Sequence, residues 1–81
     1  MDLLKRVELA RKWRRAYRRV HAELDAYSDR ELLADLRLTR SEIPDIAAEA
    51  ADQEVAAFVR AHPEYRRAWG WRRPGLAAHA G

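Results

Sequence analysis

The stretch RKWRRAYRR, residues 11–19, holds six cations in nine residues, Arg11, Lys12, Arg14, Arg15, Arg18 and Arg19, with Trp13 and Tyr17 set among them. A guanidinium group grips phosphate oxygens through two parallel hydrogen bonds, and five of the six are arginine, so the chemistry on offer is the binding of a polyanion. A second cluster, RRAWGWRR over 66–73, places Trp69 and Trp71 among Arg66, Arg67, Arg72 and Arg73. Exposed indoles beside arginines suit stacking on unpaired bases. The alternative is that these tryptophans dock on the core.

Other chemistry has little to stand on. His21, His62 and His79 are far apart in sequence and have no carboxylate at ligand spacing, so no metal site is expected. Asp25, Asp29 and Asp35 fall near expected helix ends or on solvated faces, where caps and the helix dipole account for them. The chain has no cysteine, which removes disulfides and thiolate metal sites. No cofactor and no enzymatic activity is expected. The opening MDLLKRVELARKW lacks the continuous apolar run of a signal peptide or a membrane span, and a cytoplasmic location is the natural expectation.

The elements that must carry these residues read as helices throughout, because Ala, Leu, Glu and Arg dominate and no run alternates with period two. Helix 1 is expected over about 2–27, with an inward stripe of Ala10, Trp13, Tyr17, Val20, Leu24 and Tyr27 at spacings of three and four. The six cations then occupy the opposite arc, so Trp13 and Tyr17 belong to the core although they interleave with arginines in sequence. SDRE, with Ser28 and Glu31, is a capping box that opens helix 2 over about 29–37, apolar through Leu32, Leu33, Leu36 and Leu38. TRSE repeats the device with Thr39 and Glu42. Pro44 is harmless only in a first turn, so helix 3, over about 40–61, has either Thr39 or Ser41 as its cap. Its expected stripe is Ile43, Ile46, Ala47, Ala50, Ala57 and Phe58, interrupted by Glu54. Pro63 and Glu64 can open a short fourth helix ending at Gly70.

The expected fold is therefore all-α. One helical domain, a bundle of three helices, covers residues 1–61, and a basic Arg/Trp segment, partly disordered, covers 62–81.

The net charge of +3 conceals a segregation. Residues 1–22 carry eight cations against two acids, 23–59 carry ten acids against three arginines, and 60–81 carry five arginines against Glu64. If helices 2 and 3 fold back on helix 1, Glu31, Asp35, Glu42 and Asp45 compete for part of the basic charge.

The run YRRVHAELDAYSDRELLADLRLTRSEIPDIAAEAA resembles the YjiS-like family of short arginine-rich bacterial proteins, a domain of unknown function. That family's pattern is an arginine-rich helix followed by a segment close to LSDREL.DIGLSRSDI. Ser28, Asp29, Arg30, Glu31, Leu32, Asp35, Leu36, Leu38, Arg40, Ser41 and Ile43 match it, within residues 14–51. One extra residue between Leu32 and Asp35, and Arg37 in place of a glycine suited to a left-handed helix end, depart from the pattern and suggest a differently built turn. The resemblance implies a small helical regulator with RNA binding proposed and no enzymatic activity.

The expected function is a cytoplasmic RNA-associated regulator. Its arginine arc would lie along backbone phosphates with low sequence specificity, assisted by the Arg/Trp segment. The alternatives are an adaptor that uses the acidic and leucine-rich surfaces of helices 2 and 3 to bind a protein, and, below it, attachment of amphipathic helix 1 to an anionic membrane with Trp13 and Tyr17 at the interface. Helix-turn-helix DNA binding ranks last, because helix 3 carries Asp45, Glu49, Asp52 and Glu54.

Overall fold

The computed structural model describes residues 2–68; the order of the tail, with Trp69, Trp71, Arg72 and Arg73, lies outside them. The described chain is all-α, with three helices and no strand among the described residues.

Helix α1 spans Asp2–Asp25, without a glycine or proline to interrupt it. It ends two residues before the expected Tyr27, because the Tyr27 N–H closes a tight turn onto the Leu24 carbonyl at 3.1 Å and Ser28 at once caps the next element. The Ser28 box forms in both directions: the Glu31 N–H donates to Ser28 Oγ at 3.1 Å, and the Ser28 N–H donates to Glu31 Oε1 at 2.8 Å.

Helix α2 opens as one α turn, Asp29–Glu31, and continues as a π-helix, Leu32–Leu36. It stops one residue before the expected Arg37, which turns left-handed at φ 59° and ψ 36°. The Leu32 carbonyl then accepts from both the Arg37 N–H and the Leu38 N–H, the latter at 3.0 Å. A π turn holds one residue more than an α turn. The left-handed position that ends it, of the kind suited to glycine, is occupied by Arg37.

Helix α3 begins with a 3-10 turn, Arg40–Glu42, and runs on as an α-helix, Ile43–Ala61. Thr39, not Ser41, is its cap: the Thr39 N–H donates to Glu42 Oε2 at 2.9 Å, and the Glu42 N–H returns to the Thr39 carbonyl at 3.0 Å. Pro44 sits in the first α turn, where a missing N–H leaves nothing unpaired. The helix closes with the His62 N–H shared between the Phe58 and Val59 carbonyls. A 3-10 turn, Pro63–Tyr65, follows; the proposed helix end at Gly70 lies outside the described residues.

The first and third helices run past each other in opposite directions: the Tyr65 hydroxyl donates to Glu8, Lys12 lies over the Phe58 ring, and Trp13 reaches Asp52. Between them lie Leu9, Trp13, Ala16, Ala48, Ala51, Val55, Val59 and Ala68, with Tyr17, Phe58 and Tyr65 packed against the cluster. Two parts of the expected stripes are displaced. On α1 the buried positions include Leu9 and Ala16, Ala10 is half-buried, and Tyr27 is exposed. On α3 the buried face is Ile43, Ala47, Ala48, Ala51, Val55 and Val59, while Ala57 is exposed and Ile46 and Ala50 are half-buried. Six alanines between 47 and 57 make many rotations of this helix equally apolar, so its β-branched residues decide which side turns inward.

The connection between α1 and α2 is fastened to the start of α3 by Arg40. Its guanidinium donates to Asp25 Oδ1 at 2.5 Å, to Asp29 Oδ1 at 2.7 Å and to the Tyr27 carbonyl at 2.7 Å. One side chain thereby joins the SDRE and TRSE stretches, and it satisfies a carbonyl left open where α1 ends. These carboxylates hold the Arg40 guanidinium above its ordinary pKa, the Asp29 hydrogen bond first among the causes.

Candidate nucleic-acid interface

Arg11, Arg14, Arg15 and Arg18 stand at i, i+3, i+4 and i+7 of a continuous helix, which confines them to an arc of roughly 100° and about 10 Å of its length. Leu9, Trp13 and Ala16 take the opposite side into the core, so the four arginines point straight out. All four are exposed, and together they line one shallow depression. Among the described residues none of the four has an ion-pair partner.

Such a cluster has an internal cost. The pairs 11/14, 11/15, 14/18 and 15/18 are like charges at helical neighbour spacing, each unfavourable by about 0.2–0.5 kcal/mol. An anion seated among them removes that repulsion while gaining charge-assisted hydrogen bonds.

The remaining two cations of the run are placed differently. Arg19 turns toward α3 and forms a fork with Glu54, Nη2 to Oε2 at 2.7 Å and Nη1 to Oε1 at 3.4 Å. That hydrogen bond raises the Arg19 pKa and lowers that of Glu54, against the desolvation that opposes both changes. Lys12 is half-buried with Nζ 4.4 Å from the centroid of the Phe58 ring. Both cations flank the arginine face and are already engaged within the molecule, so the expected set of six separates into four outward groups and two inward ones.

The second basic cluster is described only in part. Arg66 and Arg67 are exposed on the turn that follows Tyr65, which the Tyr65–Glu8 hydrogen bond ties to the first half of α1. The contacts seen do not bring them onto the face of Arg11, Arg14, Arg15 and Arg18. Trp69, Trp71, Arg72 and Arg73 lie outside the described residues.

Trp13 is 7% exposed, donates Nε1–H to Asp52 Oδ1 at 2.9 Å and stacks on Tyr17 with ring centroids 5.2 Å apart. This is the expected inward placement. Tyr17 is packed against the same cluster, so the two aromatics that the membrane alternative invokes are both engaged in the contact with α3. None of the described helices is long and apolar enough to cross a membrane.

The acids that meet the basic helix are not the expected ones. Glu31 and Glu42 are occupied as caps at their own helix starts, and Asp35 and Asp45 are exposed. Glu54 pairs with Arg19 instead. In the sequence it was visible only as a charge interrupting an apolar stripe. Arg40 as a clamp and Asp52 as the indole's acceptor had no local signal at all. Among the described residues no group of His, Asp and Glu could hold a metal ion; the His62 ring stacks on Phe58 and the His21 ring tilts against Tyr17.

Compared with known proteins, the chain matches no family model, no curated protein and no solved structure.

Proposed function

We propose that the chain is a small cytoplasmic RNA-binding regulator that takes the phosphate backbone on the outer face of α1 through Arg11, Arg14, Arg15 and Arg18. One observation carries this reading: four exposed guanidinium groups without an ion-pair partner among the described residues line a single depression. Phosphate contacts position a nucleic acid without reading its sequence, and the aromatic side chains nearest this face are turned into the core, so low sequence specificity follows. The resemblance of residues 14–51 to YjiS-like proteins, for which RNA binding is proposed, points the same way. Arg66, Arg67, Arg72 and Arg73, with Trp69 and Trp71, are proposed as auxiliary contacts. The test is purification without nuclease. Wild-type protein should carry nucleic acid that a high-salt wash removes, read as the ratio of absorbance at 260 to 280 nm, and the Arg14→Ala, Arg15→Ala, Arg18→Ala variant should not. Equal carriage by both proteins, or none by either, refutes the assignment.

An adaptor role is a second reading, favoured by α2, where Leu33 and Leu36 are 62% and 39% exposed. It predicts that Leu33→Asp with Leu36→Asp loses a specific co-purifying protein while RNA affinity stays unchanged.

A further inference from the structure

We infer that Glu54 acts as a built-in stand-in for phosphate, holding Arg19 by its fork and thereby fixing the edge of the anion-binding face at four arginines. This rests on the reading of that face as a phosphate surface and names the residue that limits it. The geometry of the pair is the one a guanidinium adopts with an anionic ligand: two nitrogens of Arg19 meet two oxygens of one carboxylate, at 2.7 and 3.4 Å. Arg19 lies about 100° around the helix from Arg18, on the shoulder between the arginine arc and α3, and its fork with Glu54 turns the side chain toward α3. Lys12 stands two turns earlier on the same side of α1 and adds a weaker electrostatic pull on Glu54, behind the hydrogen bond from Arg19.

The pair is open to solvent, with side chains 53% and 43% exposed. An exposed pair of this kind contributes little to stability, which makes it exchangeable: a phosphate arriving at the flank competes with Glu54 for Arg19 and is repelled by it. Glu54 stays charged throughout the neutral range, because its pKa lies below that of an ordinary carboxylate. The restraint on Arg19 is therefore constant and is not a pH switch.

The consequence is numerical. For a single strand each phosphate contact adds about 0.7 to the salt slope, so at 0.1 M salt one more contact tightens binding roughly five-fold. Glu54→Gln should bind labelled single-stranded RNA about five-fold more tightly than wild type at that salt, with the slope steeper by about 0.7. Arg19→Ala removes no phosphate contact but leaves Glu54 uncompensated, so it should weaken wild-type binding less than Arg15→Ala does, and it should cancel the gain when added to Glu54→Gln. Circular dichroism verifies that each variant is folded. Arg14→Ala, Arg15→Ala, Arg18→Ala is measured in the same series to separate two kinds of failure. If that variant loses binding and Glu54→Gln gains nothing, or if Arg19→Ala weakens wild type as much as Arg15→Ala does, the role of Glu54 is overturned and the arginine face stands. If the triple variant binds as wild type does, the phosphate reading itself fails.

Discussion

Replacing Trp13 with alanine removes the largest side chain in the contact between α1 and α3. The indole is 7% exposed, stacks on Tyr17 at 5.2 Å and donates a hydrogen bond to Asp52 at 2.9 Å. Truncating a buried tryptophan costs about 3–5 kcal/mol, the transfer of the ring plus the cavity left behind. A chain of this length has roughly 4–12 kcal/mol of stability in all, so the variant should lose a large share of its stability or unfold outright. The urea midpoint, followed by circular dichroism at 222 nm, should fall by about 3 M for a urea slope near 1 kcal/mol/M. Trp13→Phe keeps most of the ring and loses the Nε1–H donor, and should cost about 1–2 kcal/mol, the hydrogen bond plus a smaller void. The two substitutions together separate packing from the Asp52 contact. A loss below about 1 kcal/mol in Trp13→Ala would refute the placement of this residue between the helices, and with it the outward orientation of the arginine arc.

Arg37→Gly should stabilise the protein by roughly 0.5–1 kcal/mol, because glycine removes the Cβ penalty of the left-handed conformation and gives back part of the gain as unfolded-state entropy; a lower melting temperature than wild type would contradict the described turn. Stability should also respond to pH at both ends. The carboxylates of Glu31, held by Ser28, and Glu54, held by Arg19, titrate below their ordinary value of 4.5, so the stability they contribute is present above that pH and is lost as pH falls through their folded values. The Tyr65 hydroxyl, bonded to Glu8, titrates above its ordinary 10.0, so its contribution is present below pH 10 and is lost as pH rises through the folded value. Of the two carboxylates Glu31 is the better test, because the exposed Arg19–Glu54 pair contributes little to stability: Glu31→Gln should soften the acid limb of the melting temperature, and an unaltered acid limb speaks against the Ser28 contact.

What the sequence revealed and what it withheld divide along the range of the interactions involved. The Ser28 cap was legible, since Ser28 with Glu31 acts within one turn, whereas the cap of α3 was narrowed only to Thr39 or Ser41, because both hydroxyls precede Pro44 at a workable spacing. The inward side of α1 was legible from Trp13 and Tyr17, because bulky residues at helical spacing mark a face without knowledge of the partner. The rotation of α3 was not: its alanines give almost no contrast around the helix, and the side turned inward is the one whose Val55 and Val59 share a core with Leu9 and Trp13 of α1. The π turn at Leu32–Leu36 carries no periodic signature of its own. The arginine arc was legible down to its four central members, because Arg11, Arg14, Arg15 and Arg18 share one side of the helix at spacings of three and four; what was not legible is that the flanking Arg19 and Lys12 are engaged by Glu54 and Phe58, which are 35 and 46 residues away from them in sequence. Likewise nothing around Arg40 foretold that it would hold Asp25, Asp29 and the Tyr27 carbonyl together. Pairings over such separations exist only once the hairpin has closed.

Phosphate binding by the outer face of α1 through Arg11, Arg14, Arg15 and Arg18 is read out by the salt dependence of affinity for a labelled single-stranded RNA. Four contacts predict that log affinity falls with log salt at a slope of about −2.8, and that Arg14→Ala, Arg15→Ala, Arg18→Ala brings the slope to about −0.7. A flat response in the wild-type protein, or the same slope in the triple variant, would contradict it.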